Sequence, residues 1–107
     1  METPIRIYNF RAWITLTDPK QLVTTFRQML DRAGYGVVNF TEHHFSPQGY
    51  TCIWLLSESH LALHTFPEEH KTYVELSGCS EEMNEKFVKA FEANFEGSEV
   101  IEMATTI

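Results

Sequence analysis

Two cysteines, Cys52 and Cys79, are all that 107 residues contain, and eight basic residues face fifteen acidic ones. Two thiols make at most one disulfide, which excludes a scaffold stapled by several. Residues 1–20 lack a charged-then-apolar leader pattern, so free thiols in a reducing cytoplasm are expected. The shortage of positive charge leaves a formal net charge of −7 and no basic stripe, which argues against nucleic acid as a partner. No apolar run approaches the roughly 20 residues of a membrane-spanning helix. Nor does a repeat, a low-complexity stretch or a linker divide the chain, so a single domain over residues 1–107 is expected. What is present is ordinary for one packed core: 43% of the residues are hydrophobic, 13% aromatic and 21% charged.

The patterning alternates between two periods. Residues 5–16, "IRIYNFRAWITL", place Tyr8, Phe10, Ala12, Ile14 and Leu16 on one side, the period of a strand. Asp18 and Pro19 then make a helix start, cap and first helical position. Leu22, Val23, Phe26, Met29, Leu30 and Ala33 follow at helical spacing until Gly34 stops them. Strands are predicted over 37–45, 50–56, 60–66 and 72–79, separated by the turn residues "SPQG", "SES" and "PEEHK". Ser80 with Glu81 and Glu82 opens a second helix, whose apolar face is Met83, Phe87, Phe91 and Phe95 and whose stop is Gly97. "SEVIEMATTI" is left as an edge strand. The order β-α-β-β-β-β-α-β with short turns implies an α+β fold: a largely antiparallel sheet with two helices on one face. The other face needs a partner, and a homodimer packed sheet to sheet is expected.

Polar residues concentrate between 42 and 79: Glu42, His43, His44, Glu58, His60, His64, Glu68, His70 and both cysteines. On a helix His60 and His64 could share a zinc ion. Leu61, Leu63 and Pro67 make this segment a strand, on which four residues span roughly 13 Å, too far for two ligands of one ion. No metal is expected. Taken singly, the remaining residues read plainly. Cys52, inside an apolar strand, is a small buried hydrophobe. Cys79 lies before a helix start, where the dipole can stabilise a thiolate, and fits packing or chemistry equally. Ser59 is a turn residue, and Phe45 and Phe66 fit core aromatics. A serine hydrolase has no support, because no nucleophile elbow joins a strand to a helix.

Together, "FSPQGYT" (45–51), "ESHLALHTFPE" (58–68) and "GCS" (78–80) resemble the signature of the pyruvoyl-dependent S-adenosylmethionine decarboxylases, in particular the short prokaryotic proenzymes. The resemblance runs from about Phe40 to Ser80. It implies self-cleavage between Glu58 and Ser59 into residues 1–58 and 59–107, and conversion of Ser59 into a covalently held pyruvoyl group that forms a Schiff base with substrate. It further implies that His64 accepts the α-hydrogen of residue 59 during processing, and that Thr51 stands where relatives use a serine hydroxyl for the same step. By the same resemblance Cys79 is the proton donor in turnover, Phe45 stacks on adenine, and Glu68 holds the ribose hydroxyls. The active site is then shared between two chains of a dimer, and the product donates aminopropyl groups for spermidine synthesis. The amino-terminal third departs from the family: the usual "GxH" opening is missing and "RIYNFRAW" carries arginines. Arginine or ornithine as substrate, by the same chemistry, and an uncleaved homologue acting as a binding or regulatory subunit are the alternatives.

Overall fold

The structure is a computed structural model that describes residues 4–106. Its elements are β1 (Tyr8–Ile14), α1 (Pro19–Ala33), β2 (Val37–His44), β3 (Tyr50–Leu56), β4 (Ser59–Phe66), β5 (Lys71–Gly78), α2 (Glu81–Asn94) and β6 (Val100–Thr106). Short 3-10 turns at Pro67–Glu69 and Gly97–Glu99 precede β5 and β6. This is the order that the patterning predicts. Every pairing is antiparallel, and the six strands form one sheet in the order β2-β3-β4-β5-β1-β6.

The α1 boundaries follow from their caps. The Asp18 carboxylate accepts from the Gln21 backbone N–H at 3.0 Å, Pro19 begins the helix, and Gly34 ends it at φ 89°. Leu22, Phe26, Met29 and Leu30 are fully buried on its inner face. On α2, Ser80 caps the start, and Phe87 and Phe91 pack edge-on against Phe10 of β1 at 5.9 and 4.9 Å between ring centroids. Both helices thereby cover one face of the sheet, where Phe10, Ile14, Cys52, Trp54, Leu61 and Val74 complete the core.

Three predicted boundaries move. The first strand begins at Tyr8 rather than Ile5. The second helix ends at Asn94, not at Gly97, because Phe95 leaves the helix in an extended conformation (φ −130°) to stack on Phe26 at 5.6 Å. Ser59 belongs to strand β4, which leaves Ser57 and Glu58 as the turn.

The opposite face carries no helix. It presents Thr51, Ile53 and Leu55 from β3, His60, Ala62, His64 and Phe66 from β4, Tyr73 and Glu75 from β5, and Arg11 and Trp13 from β1. Ile53, Leu55 and Phe66 are exposed there.

Candidate active site

The β3–β4 hairpin is as tight as a hairpin can be, with Leu56 and Ser59 paired across its two turn residues. Glu58 sits in the left-handed region at φ 59°, a conformation that costs a residue with a Cβ about 1–2 kcal/mol. Ser59 follows immediately, its residue only 8% exposed, with its side chain on the helix-covered face. Register places Gly78 of β5 directly opposite Ser59, and Tyr8 of β1 opposite Gly78. A Cβ built on Gly78 would overlap the Ser59 Oγ and lie 3.0 Å from its Cβ. Cys79, next in the chain, donates its thiol hydrogen to Glu58 Oε2 at 3.4 Å. That carboxylate holds the thiol protonated, raising its pKa above the ordinary value, chiefly through the hydrogen bond. The helix start, which can stabilise a thiolate, is thus outweighed by the carboxylate at hydrogen-bond distance. A groove of about 950 Å³ opens beside these groups, lined by Ile5, Ile7, Tyr8, Glu58, Cys79 and Glu81, among others.

A second cluster lies at the other end of β4. Thr51 and His64 are cross-strand partners, and Thr51 Oγ1 is 3.0 Å from His64 Nδ1. The register continues this pair into a row on the open face, His43–Thr51–His64–Tyr73–Trp13. His64 is near-parallel to Tyr73 at 6.5 Å, and Trp13 packs on both Tyr73 (5.1 Å) and Phe66 (5.7 Å). Phe45 and Glu68 flank the same end. Phe45 begins the β2–β3 loop, contacts His43 at 4.5 Å and is 51% exposed; Glu68 accepts from Gln48 Nε2 at 3.2 Å. Phe45 and Phe66, expected in the core, are both exposed.

The structure therefore unites Ser59, Glu58 and Cys79, and separately Thr51, His64, Phe45 and Glu68, but does not join the two groups within a chain. Ser59 and His64 stand five positions apart on one strand, roughly 16 Å, with side chains on opposite faces. The odd separation was a sequence signal for that opposition once the segment was read as a strand. Gly78 is the site residue that sequence reasoning missed, because its relation to Ser59 depends on the β4–β5 register. Cys52 is fully buried, and its thiol is pushed up to about 12 by burial, which leaves it inert. Among the described residues, no three histidines, cysteines or carboxylates cluster closely enough to hold a metal, and no helix is long and apolar enough to cross a membrane.

Comparison with known proteins gives this arrangement a context. The sequence profile of the S-adenosylmethionine decarboxylase family matches residues 7–105, and the chain belongs to that family. The S-adenosylmethionine decarboxylase proenzyme of Prochlorococcus marinus (strain MIT 9313) is 40% identical over 67 residues, 63% of this chain and 54% of the relative. That of Syntrophomonas wolfei is 35% identical over 78 residues, 73% of this chain and 61% of the relative. The matched part of the chain thus spans little more than half the length of these curated relatives. The crystal structure of the adenosylmethionine decarboxylase from Aquifex aeolicus VF5 shares the fold, with a TM-score of 0.76 over 97% of this chain and 89% of that one, at 14% identity.

Proposed function

We propose that this chain is a precursor that cleaves itself at Glu58–Ser59 and then, as a cytoplasmic homodimer, decarboxylates S-adenosylmethionine to an aminopropyl donor for spermidine synthesis. The observation that carries the reading is the hairpin tip: a strained Glu58, a buried Ser59 and the Cys79 thiol in contact with the residue at the scissile bond. Membership of the family supports the choice of substrate.

Cleavage is work for the chain's own groups. The Ser59 hydroxyl oxygen attacks the Glu58 carbonyl carbon, the C–N bond breaks, and the hydroxyl proton passes to the freed nitrogen, leaving an ester. The left-handed Glu58 loses its constraint in that step, which favours the forward direction. Removal of the α-hydrogen of residue 59 then expels the Glu58 carboxylate, and water completes conversion to a ketone with loss of ammonia. His64 suits the base, since an imidazole nitrogen can accept a proton and Thr51 orients its Nδ1. His64 is beyond the reach of Ser59 in its own chain, so the reading assigns this step to the partner's His64. Two copies packed through their open faces with opposed strand directions bring the two ends of β4 together. Exposed Ile53, Leu55 and Phe66 supply apolar area for that contact.

The residues at position 59 fit a pyruvoyl group, because the missing side chain at Gly78 leaves space beside the residue that would carry it. The ketone supplies the electron sink that decarboxylation of an amino acid requires. Cys79 is suited to protonate the product carbon, since it lies beside position 59 at the hairpin tip and carries a transferable thiol hydrogen. Phe45 offers an exposed ring for adenine and Glu68 two oxygens for the ribose hydroxyls.

A mass spectrum of purified, incubated protein tests the reading. It should contain residues 1–58 and a 59–107 fragment blocked at its amino terminus. Carbon dioxide should then be released from S-adenosylmethionine and not from arginine or ornithine. An intact chain that releases none from any of the three would sink the proposal.

A further inference from the structure

We propose that Gly78 is a positioning residue for self-cleavage: its bare α-carbon makes the seat in which the Ser59 hydroxyl lies before it attacks. This inference rests on the reading of Ser59 as the cleavage nucleophile. Gly78 is the last residue of β5 and the direct cross-strand partner of Ser59, and it is buried like the serine. Its backbone does not call for glycine, since it is absent from the positions with positive φ. Any residue could adopt its conformation; what excludes a side chain is the serine. A Cβ at 78 would take the space of Ser59 Oγ, while standing 3.0 Å from Ser59 Cβ, close but relieved by a shift of a few tenths of an ångström. The overlap is therefore specific to the oxygen that reacts.

Position matters for this oxygen more than for most hydroxyls. Attack on the preceding carbonyl closes a five-membered ring through Cα and Cβ of Ser59, so it demands the right staggered χ1 well. Rotation into another well leaves the serine present, buried and inert. A methyl at 78 forces that rotation while leaving the ladder hydrogen bonds of β4 and β5 untouched.

The test follows Gly78→Ala beside the unaltered chain by gel and mass spectrometry, with hydroxylamine added to trap any ester. The variant should cleave at least tenfold more slowly and yield no hydroxylamine-sensitive precursor, because the block precedes ester formation. A loss of the α-hydrogen base would instead accumulate ester. Thermal unfolding of Ser59→Ala with and without Gly78→Ala gives the second measurement. Once the hydroxyl is gone, the added methyl should leave the midpoint within a few degrees. Cleavage of folded Gly78→Ala at the unaltered rate would overturn this inference alone. So would an equal loss of fold with and without the hydroxyl, which would make Gly78 a backbone requirement. If the unaltered chain never cleaves, both the self-cleavage reading and the role of Gly78 fall.

Discussion

Cys79 and Glu58 are joined by a hydrogen bond, and Glu58 is the residue before the proposed scissile bond. While the chain is whole, the carboxylate disfavours the thiolate, and the thiol pKa lies above its ordinary value. A group with a raised pKa stays protonated to higher pH, so alkylation of Cys79 by iodoacetamide in an uncleavable Ser59→Ala chain should be slow at pH 8. Glu58→Gln in that chain should speed labelling severalfold and lower its pH midpoint; equal rates would show that the contact is not kept in solution. Cys52, buried with its thiol near 12, should stay unlabelled until the protein unfolds. The Thr51–His64 contact makes a second prediction. Thr51→Val keeps the shape and removes the oxygen that orients Nδ1, so ester should accumulate and yield to hydroxylamine, whereas Thr51→Ser should cleave at least as fast as the unaltered chain. At this scale the sequence was informative about residue types and silent on neighbours. Ser59, His64 and Cys79 stood out as a pattern of reactive groups. That Cys79 faces a carboxylate depends on a hairpin tip and a strand end meeting in space, which the residues next to Cys79 do not report.

Helix α1 was readable almost to the residue, because its ends are written in local chemistry: an aspartate, a proline and a glycine at φ 89°. The Asp18 carboxylate satisfies one of the orphan N–H groups of the first turn. Asp18→Ala should therefore destabilise the fold by about 1 kcal/mol. For a chain of this size that is a fall of roughly 4–8 °C in the calorimetric midpoint, with no change in the products of cleavage. An unchanged midpoint would mean that water serves the helix end as well. The end of α2 was not readable in the same way. Gly97 is a local stop signal, but the helix has already finished where Phe95 turns inward onto Phe26 and Phe91, at 5.6 and 5.0 Å. Burial of one aromatic ring is worth more than one further helical turn, and nothing in residues 94–97 reports that Phe26 is waiting. The β3–β4 turn errs in the same sense. "SES" is polar throughout, yet pairing with Gly78 draws its last residue into the sheet.

Two helices cannot cover two faces of a six-stranded sheet, so the uncovered face could be foreseen from element counting alone. Its consequence for chemistry lies in the parity of one strand. Ser59 and His64 differ by an odd number, and β4 runs unbroken between them, so their side chains lie on opposite faces of one chain's sheet. In the proposed two-fold dimer through the open face, each Ser59 would meet the partner's His64, and cleavage would be a property of pairs. Chains carrying Ser59→Ala keep His64, and chains carrying His64→Ala keep Ser59. Each alone should remain whole. When the two are unfolded together in equal amounts and refolded, random pairing puts about half of the His64→Ala chains opposite an intact His64, as a symmetric two-site interface requires. Those chains alone should be cut at Glu58–Ser59, and the Ser59→Ala chains should stay intact; fragments of a distinguishable mass tag on each chain would show which was cut. Leu55→Lys, which puts a charge on the open face, should lower the yield by pushing the mixture towards monomers, visible by sedimentation. If the mixture stays whole while its dimers demonstrably exchange, His64 does not act across the interface, and the shared site is wrong.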